Sequence, residues 1–487
     1  MTNPDGIGAT ARSGARSTFV AQVVVQLGSV VATMVLARIL SPSEFGAIAL
    51  VQSVLGVSAL LNLAGLNAAL VSRRGDVERA AASYLWLTVS LGLVLYVSLF
   101  FGSYPLMQSM GQPESAFYLQ VLSLSVPLTL LTMVPQAILQ RRLAFKALNT
   151  ASVISAIFYF AAEIGLALAG WGVWAVILGQ VSSAALLLLL TVALARWIPK
   201  HGFHWSDIRL DLAMLGGLSL SRLFEYVYKN VDYWIASRSL GPSSLGIYYV
   251  AYVLPNIVRL RLSGVFRTVM LPVVSQNPSQ DEARRHWIRA TTVLLSMGIP
   301  ALAGIAAISG PLVRVFFGAT WEEAVLPMQI LTLGTVADLL IQAVGTMALA
   351  QRQVGRHTLV LAIRAVATFA FVLIAVNLQQ SLWSVALAVA VAGLVTLVVQ
   401  EVFVSRPLGV GLHTMKRPIF TTVLLSAVML TAVTAILMSL PAAVPAIAEL
   451  IIGVAVGVLV YVGVGLIAAR TLINDVLVQS RRMLLGR

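Results

Sequence analysis

Four ionisable side chains, Arg222, Glu225, Lys229 and Asp232, follow one another at i, i+3, i+7 and i+10 inside an otherwise apolar run. At about 100° per residue on a helix, they share an arc of roughly 80° on one face. A charge near the middle of a bilayer costs about 2.5–3.5 kcal/mol, so such a stripe cannot look at lipid. It must line a wet cavity or pair tightly with other helices. The next apolar run adds Arg259, Arg261 and Arg267, and a later one adds Arg364. The chemistry on offer is electrostatic. Arg222, Lys229, Arg259, Arg261, Arg267 and Arg364 are candidate ligands for an anionic group on a substrate. The acids within apolar runs are Glu163, Glu225, Asp232 and Asp338, with Glu401 close to the end of another. The first four are candidates to bind a coupling ion, or else serve as salt-bridge partners. Internal pairing of Arg222 with Glu225 and of Lys229 with Asp232 is the competing explanation for the quartet.

Other chemistries find little support. There are no cysteines, so thiol catalysis, disulfides and thiolate metal sites are out. No H-E-x-x-H, P-loop or G-x-S-x-G string occurs. His201 and His204 lie close together in a loop, which is a weak metal signal, and the other histidines are scattered. The expectation is a protein that is not an enzyme and holds no cofactor or metal. Without a nucleotide site, energy must come from H+ or Na+ coupling, the membrane potential or the substrate's own gradient. Tyr226, Tyr228, Tyr233 and Trp234 surround the charged stripe and either stack on sugar rings or pack helices.

The elements that must position these groups are membrane helices. Of 487 residues, 59% are hydrophobic and 10% charged, and the mean hydropathy is +0.93. Runs of about 20 apolar residues recur, which is the length that crosses a bilayer. The pattern predicts an all-α membrane protein of about 14 transmembrane helices. With the N-terminus in the cytoplasm, 23 of the 32 Lys and Arg fall in cytoplasmic loops. Only Arg38, Arg238 and Arg314 fall outside. That asymmetry follows the positive-inside rule and places both termini in the cytoplasm. It also assigns the net charge of +14 to topology rather than to nucleic acid. The basic tail 470–487 reads as an interfacial helix or a solvated end.

One short string occurs twice. Arg38-Ile-Leu-Ser41-Pro42-Ser-Glu44-Phe-Gly46 returns 200 residues later as Arg238-Ser-Leu-Gly241-Pro242-Ser-Ser-Leu-Gly246. Each copy reads as a helix stop followed at once by a helix start: a cap residue, then proline at the first helical position. Pro127 and Leu131 likewise match Pro327 and Leu331. The chain therefore divides into a six-helix lobe over 1–205, a second over 206–405 and two extra helices with a tail over 406–487. Six spans per lobe make the two pseudo-symmetric lobes parallel repeats. At the 200-residue offset Gln22 stands where Arg222 is, and Asn67 where Arg267 is. One half offers hydrogen bonds and the other offers charge, which suits a ligand with both sugar hydroxyls and phosphate.

Several strings resemble a known family: Leu36-Ala-Arg-Ile-Leu-Ser-Pro-Ser-Glu-Phe-Gly46, Gly65-Leu-Asn-Ala-Ala-Leu-Val71 and Lys229-Asn-Val-Asp-Tyr-Trp-Ile-Ala236. So do Leu271-Pro272 with Ser275, and Gly318 with Trp321. Together they are similar to the polysaccharide-transporter branch of the multidrug/oligosaccharidyl-lipid/polysaccharide exporter superfamily, and within it to Wzx-like flippases of O-antigen and colanic-acid type. The resemblance implies a V-shaped pair of six-helix lobes, alternating access, and transfer of a polyprenyl-pyrophosphate-linked oligosaccharide from the cytoplasmic to the external leaflet of the inner membrane. It implies that cavity cations meet the pyrophosphate or acidic sugars. By position that role carries to Arg222, Lys229, Arg259 and Arg267, with Asp232 inside the motif; Arg261 and Arg364 rest on burial logic alone. The implied partners are a lipid-linked oligosaccharide, the bilayer and a polysaccharide polymerase machinery, with no nucleic acid. The alternatives are an ion-coupled multidrug exporter, a peptidoglycan lipid-precursor flippase and a membrane-embedded glycosyltransferase or polymerase.

Overall fold

The computed structural model describes residues 4–56, 69–71, 73, 75–200, 202–276, 279–441 and 443–468. Asn67 with the Gly65–Ala68 part of its motif, His201 and the tail 470–487 lie outside them. Every regular element among the described residues is helical. In order they are α1 (Pro4–Ile39), α2 (Pro42–Leu55), α3 (Val77–Ser109), α4 (Ala116–Ser123), α5 (Ser125–Arg141), α6 (Phe145–Leu168), α7 (Val173–Ala195), α8 (Arg209–Gln276), α9 (Gln280–Ala307), α10 (Ser309–Phe316), α11 (Val325–Ala350), α12 (Val354–Leu378), α13 (Leu382–Gln400), α14 (Lys416–Ser439) and α15 (Ala446–Ala468). Among the described residues, 11 helical stretches are long and apolar enough to cross a membrane. The sequence expectation of fourteen also counts a span over 45–71, of which 57–68 lie outside the described residues, and the two arms of α8, whose charges lower their apolarity.

The repeated string does locally what its residues dictate. Ser41 is extended (φ −74°, ψ 160°) and caps α2, with Pro42 in the first turn. Its backbone N–H donates to Glu44 Oε2 at 2.8 Å, and the Glu44 N–H donates back to Ser41 Oγ at 3.4 Å. This is the reciprocal capping box that the spacing predicts. The second copy reaches the same end by another route. Gly241 interrupts α8 at φ 81°, ψ 174°, a region open essentially to glycine alone. The Ser-to-Gly difference between the copies is thus a backbone requirement. Nothing lies within 4 Å of a Cβ built there, so the strain is purely conformational. Gly241→Ser, which restores the first copy's residue, is expected to cost about 1–3 kcal/mol, read as a lower melting temperature in detergent. An unchanged melt would show that the turn relaxes freely.

The chain forms two compact units. The first comprises Met1–Tyr226 with Gly241–Ser243, the second Val227–Leu240 with Ser244–Arg487. In the first, α6 packs on α7 and α1, and α5 on α3 and α7. Asp207 gathers one end of this unit. It accepts from Arg73 Nη2 and Arg79 Nε, each at 3.2 Å, and from Ser83 Oγ at 3.3 Å. Arg141 Nη1 donates to the carbonyls of Val71 and Arg73 at 3.0 and 2.8 Å. Loop arginines assigned to topology therefore also satisfy backbone groups at helix ends.

In the second unit α11 is the central helix, packed on α9 and α13. The span containing it is 67% buried, the largest share of the eleven, so its polar residues face protein rather than lipid. Trp287 of α9 is fully buried and donates its Nε1–H to the Ala343 carbonyl of α11 at 2.9 Å. The last two helices join this unit, α14 against α9 and α15 against α10. Arg314 and Glu449 close the second contact at 2.6 Å.

Candidate functional site

The site grows out of the break at Gly241. Because α8 stops and restarts there, residues on either side of the turn meet. Asp232, nine residues before Gly241, accepts from Tyr248 Oη, seven residues after it, at 2.8 Å. Tyr233 packs its ring edge-on against Tyr248, Tyr249 and Tyr252, with centroids 5.7, 6.4 and 6.5 Å away. Such edge-to-face geometry sets the positive rim of one ring on the negative face of another. The two arms of α8 thus form an aromatic hairpin that carries one carboxylate.

Beyond the tyrosines lies a buried ion centre built from three helices. Arg364 of α12 donates from Nη2 to Asp338 Oδ1 of α11 at 2.5 Å. Arg259 of α8 reaches the other oxygen of the same carboxylate, Nε to Oδ2, at 3.9 Å. Arg259 Nη2 also donates to Asn256 Oδ1. The Arg364 guanidinium lies over the Tyr228 ring, 4.1 Å from its centroid. Small residues make the room. Gly334 of α11 approaches Ala390 of α13, and a Cβ on Gly393 would sit 3.7 Å from Arg364 Nη2. Arg259 and Arg364 are each 3% exposed, and Asp338 is 4% exposed.

Two guanidinium groups share one carboxylate, so this trio carries one positive charge in excess. It is also short of acceptors. Arg259 Nε and Nη1 and Arg364 Nε and Nη1 are buried without a hydrogen-bond partner, and so is Asp232 Oδ1. A buried donor left unmade costs about 1–3 kcal/mol. A membrane protein retaining four of them at one point has a centre that an oxygen-rich anion would complete. The Tyr228 ring face adds about 2 kcal/mol to a desolvated guanidinium. Tyr228→Phe, which keeps the ring, is expected to melt like the parent, and Tyr228→Ala to lose about that amount. Equal melts for the two variants would show that the ring does not hold Arg364.

The sequence-expected residues fall into three groups. Arg259, Arg364 and Asp338 come together, while Asp232 is bound by Tyr248. Here the expectation of an open, wet lining is corrected. In a low-dielectric interior two guanidiniums and a carboxylate attract strongly and exclude water. Of the competing internal pairs, Asp232 has its carboxylate held by Tyr248 Oη. In the second group, Arg261 and Arg267 are exposed and Lys229 is half-buried, its Nζ 5.8 Å from the Tyr228 ring. The third group belongs to the first unit: Arg222 and Glu225 are half-buried, and Glu163 is 3% exposed on α6. Gly179 of α7 leaves space for Tyr159 and Glu163. Glu401 serves structure, accepting from the backbone N–H groups of Leu412 and His413 at 2.9 and 3.0 Å. Among the described residues no group of three His, Cys, Asp or Glu could hold a metal. Tyr248, Tyr252 and Asn256 escaped the sequence reading.

Comparison with known proteins agrees with this architecture. The family described as "Polysaccharide biosynthesis protein" matches residues 35–326. The chain is 29% identical over 463 residues to the succinoglycan biosynthesis transport protein ExoT of Rhizobium meliloti (strain 1021), covering 92% of this chain and 91% of that protein. It is 23% identical over 322 residues to the lipopolysaccharide biosynthesis protein WzxC of Escherichia coli (strain K12), covering 66% of this chain and 65% of the other. Among solved structures, the lipid II flippase MurJ in an inward closed conformation superposes with a TM-score of 0.71 at 17% identity, covering 94% of this chain and 99% of that one. An inward-facing MATE multidrug transporter of the MOP superfamily gives 0.66 at 15% identity, covering 79% and 94%. These structures share the fold.

Proposed function

The chain belongs to the polysaccharide biosynthesis protein family, and from that premise we propose that it flips a polyprenyl-diphosphate-linked oligosaccharide across the plasma membrane by alternating access. The cargo serves cell-surface polysaccharide or lipopolysaccharide synthesis, in keeping with the succinoglycan and lipopolysaccharide pathways for which ExoT and WzxC are named. The observation that carries the reading is the Arg259–Asp338–Arg364 centre, cationic in excess and short of acceptors. A polyprenyl tail stays in the bilayer while its head crosses. Sugar hydroxyls and a diphosphate cannot enter hydrocarbon unaided. Paired guanidiniums match phosphate oxygens in a fork geometry that lysine lacks. The protein then works as a transporter rather than a catalyst: its residues bind and release, and no bond of the cargo changes. A cationic drug, the cargo of a multidrug exporter, would meet net repulsion at this centre.

The reading places both termini in the cytoplasm and the chain in the inner membrane, beside a polymerase that receives the flipped product. H+ or Na+ coupling would fall to Glu163, Glu225 or Asp232, with Asp338 committed to the arginines. The test uses proteoliposomes holding the full chain and a polyprenyl-diphosphate oligosaccharide, with and without a proton or sodium gradient. The expected result is protein-dependent appearance of the sugar in the opposite leaflet. No transfer above empty liposomes under any gradient, with uptake of a cationic drug instead, would overturn it.

A further inference from the structure

Asp338 sits where an anionic ligand would sit. Among the described residues it is the only acid paired with either guanidinium, and it divides its two oxygens between them. One contact is a short hydrogen bond at 2.5 Å, while the other, at 3.9 Å, is an ion pair too long to be one. A single carboxylate is therefore stretched across two cations and leaves four of their nitrogens without acceptors.

The arginines have supports of their own. Arg364 rests on the Tyr228 face, and Arg259 is held by Asn256. Neither support involves Asp338, so the two guanidiniums would keep their places if the carboxylate left. Asp338 is thus the member of the trio whose departure leaves the other two supported.

We propose that Asp338 is a resident counter-ion that the cargo must displace, and that this displacement selects diphosphates over the phosphodiesters of ordinary membrane lipids. The identity of the cargo rests on the flipping reading above; the counter-ion role rests on the geometry alone. A phosphodiester head carries one negative charge, the same as the carboxylate it would evict, and so gains little by the exchange. A diphosphate brings at least two charges and more oxygens, enough to neutralise both guanidiniums and meet their unpartnered nitrogens. The membrane surrounds the protein with phosphodiesters at very high local concentration. A built-in competitor of the same charge keeps them out, which is discrimination by an opposing element rather than by added attraction.

The experiment uses the full-length chain in phosphatidylcholine nanodiscs. Calorimetry compares inorganic pyrophosphate with dimethyl phosphate, a soluble monoanionic phosphodiester. The parent protein is expected to prefer pyrophosphate by about tenfold or more, and Asp338→Asn to bind dimethyl phosphate about tenfold more tightly, so that the preference narrows. The same preference in both proteins would overturn the proposal, as would pyrophosphate binding that survives Arg259→Ala with Arg364→Ala. If Asp338→Asn does not assemble, the parent protein supplies the second measurement. Dicyclohexylcarbodiimide reacts with protonated carboxyl groups in apolar surroundings, and a buried carboxylate freed of its ion pairs takes up the proton this requires. Mass spectrometry should find Asp338 weakly labelled alone and strongly labelled with pyrophosphate. Labelling that pyrophosphate does not raise overturns the proposal. The two readings fail separately. Selectivity that narrows in Asp338→Asn without any flipping by the parent would sink the flipping reading alone. Flipping with unaltered selectivity would sink the counter-ion alone.

Discussion

Arg364→Ala is expected to abolish transfer of the lipid-linked oligosaccharide. The guanidinium supplies the shorter of the two contacts to Asp338 and the charge that gives the trio its positive excess. Without it Asp338 keeps only Arg259, 3.9 Å away, and the local charge falls from one positive to zero. Removing one partner from a buried ion pair costs up to about 3–5 kcal/mol, less the share that Arg259 still offsets at Asp338. A lower melt would therefore accompany the lost transport, and the two effects must be separated. Arg259→Met, Arg364→Met and Asp338→Leu together remove all three charges. Replacing a whole buried ion cluster by apolar residues of similar size is often neutral or stabilising. The triple variant should melt near the parent yet still fail to flip. Arg364→Lys keeps the charge without the planar fork and should fall between. Arg259→Ala should act in the same direction with a smaller melt change, since its contact is the longer one. Flipping by Arg364→Ala at the parent rate, measured in the same proteoliposomes, would remove the arginine centre from the mechanism.

Gly411→Ala should be the most damaging single methyl in the chain's second unit. Gly411 lies between α13 and α14 at φ 110°, ψ −160°, a conformation open to glycine. A Cβ there would stand 2.4 Å from Glu401 Oε2, 2.5 Å from Ser405 Cβ and 2.8 Å from Ser405 Oγ. The carboxylate it strikes already accepts from the N–H groups of Leu412 and His413 and lies 2.5 Å from His413 Nδ1. Backbone strain of about 1–3 kcal/mol adds to loss of charge-assisted bonds worth about 1.5–3 kcal/mol each, so about 3 kcal/mol or more is expected. Two readouts check this: the melting temperature, and protease cleavage within 406–415, which should rise as the turn opens. Resistance equal to the parent's would show that the turn accommodates a side chain. Because α14 and α15 follow this turn, the variant also asks whether the last two helices are needed for flipping.

Much of the architecture was legible because its causes are local. Hydrocarbon thickness sets the length of an apolar run, and cap residues with proline set where a helix stops and restarts. Ser41, Pro42 and Glu44 announced the capping box, and the matching Gly241-Pro242 announced the second break. The ion centre draws one member, Arg259, from α8, the element that also carries the charged stripe. The stripe's own four members did not supply that centre. Arg222 and Glu225 went to the first unit, and Asp232 turned to Tyr248. Three isolated residues built it instead: Arg259, Asp338 and Arg364.

The amino-acid order by itself determined an all-helical membrane chain, its internal repetition, its family and the unusual load of embedded charge. The family follows from the resemblance of strings such as Lys229–Ala236; the rest follow from composition, period and cap chemistry, which act over a few residues and need no knowledge of neighbours. Only the tertiary structure decided which charges meet. Asp338 stands 79 positions after Arg259 and 26 before Arg364, and no helical period connects such distances. Their meeting depends on small residues of α11 and α13, Gly334, Ala390 and Gly393, that let α11 and the Arg364 side chain of α12 both come close to α13, and on the break that returns α8 alongside itself. Ions in a low-dielectric interior take whichever partner packing brings within a few ångströms, and packing is a property of the whole fold.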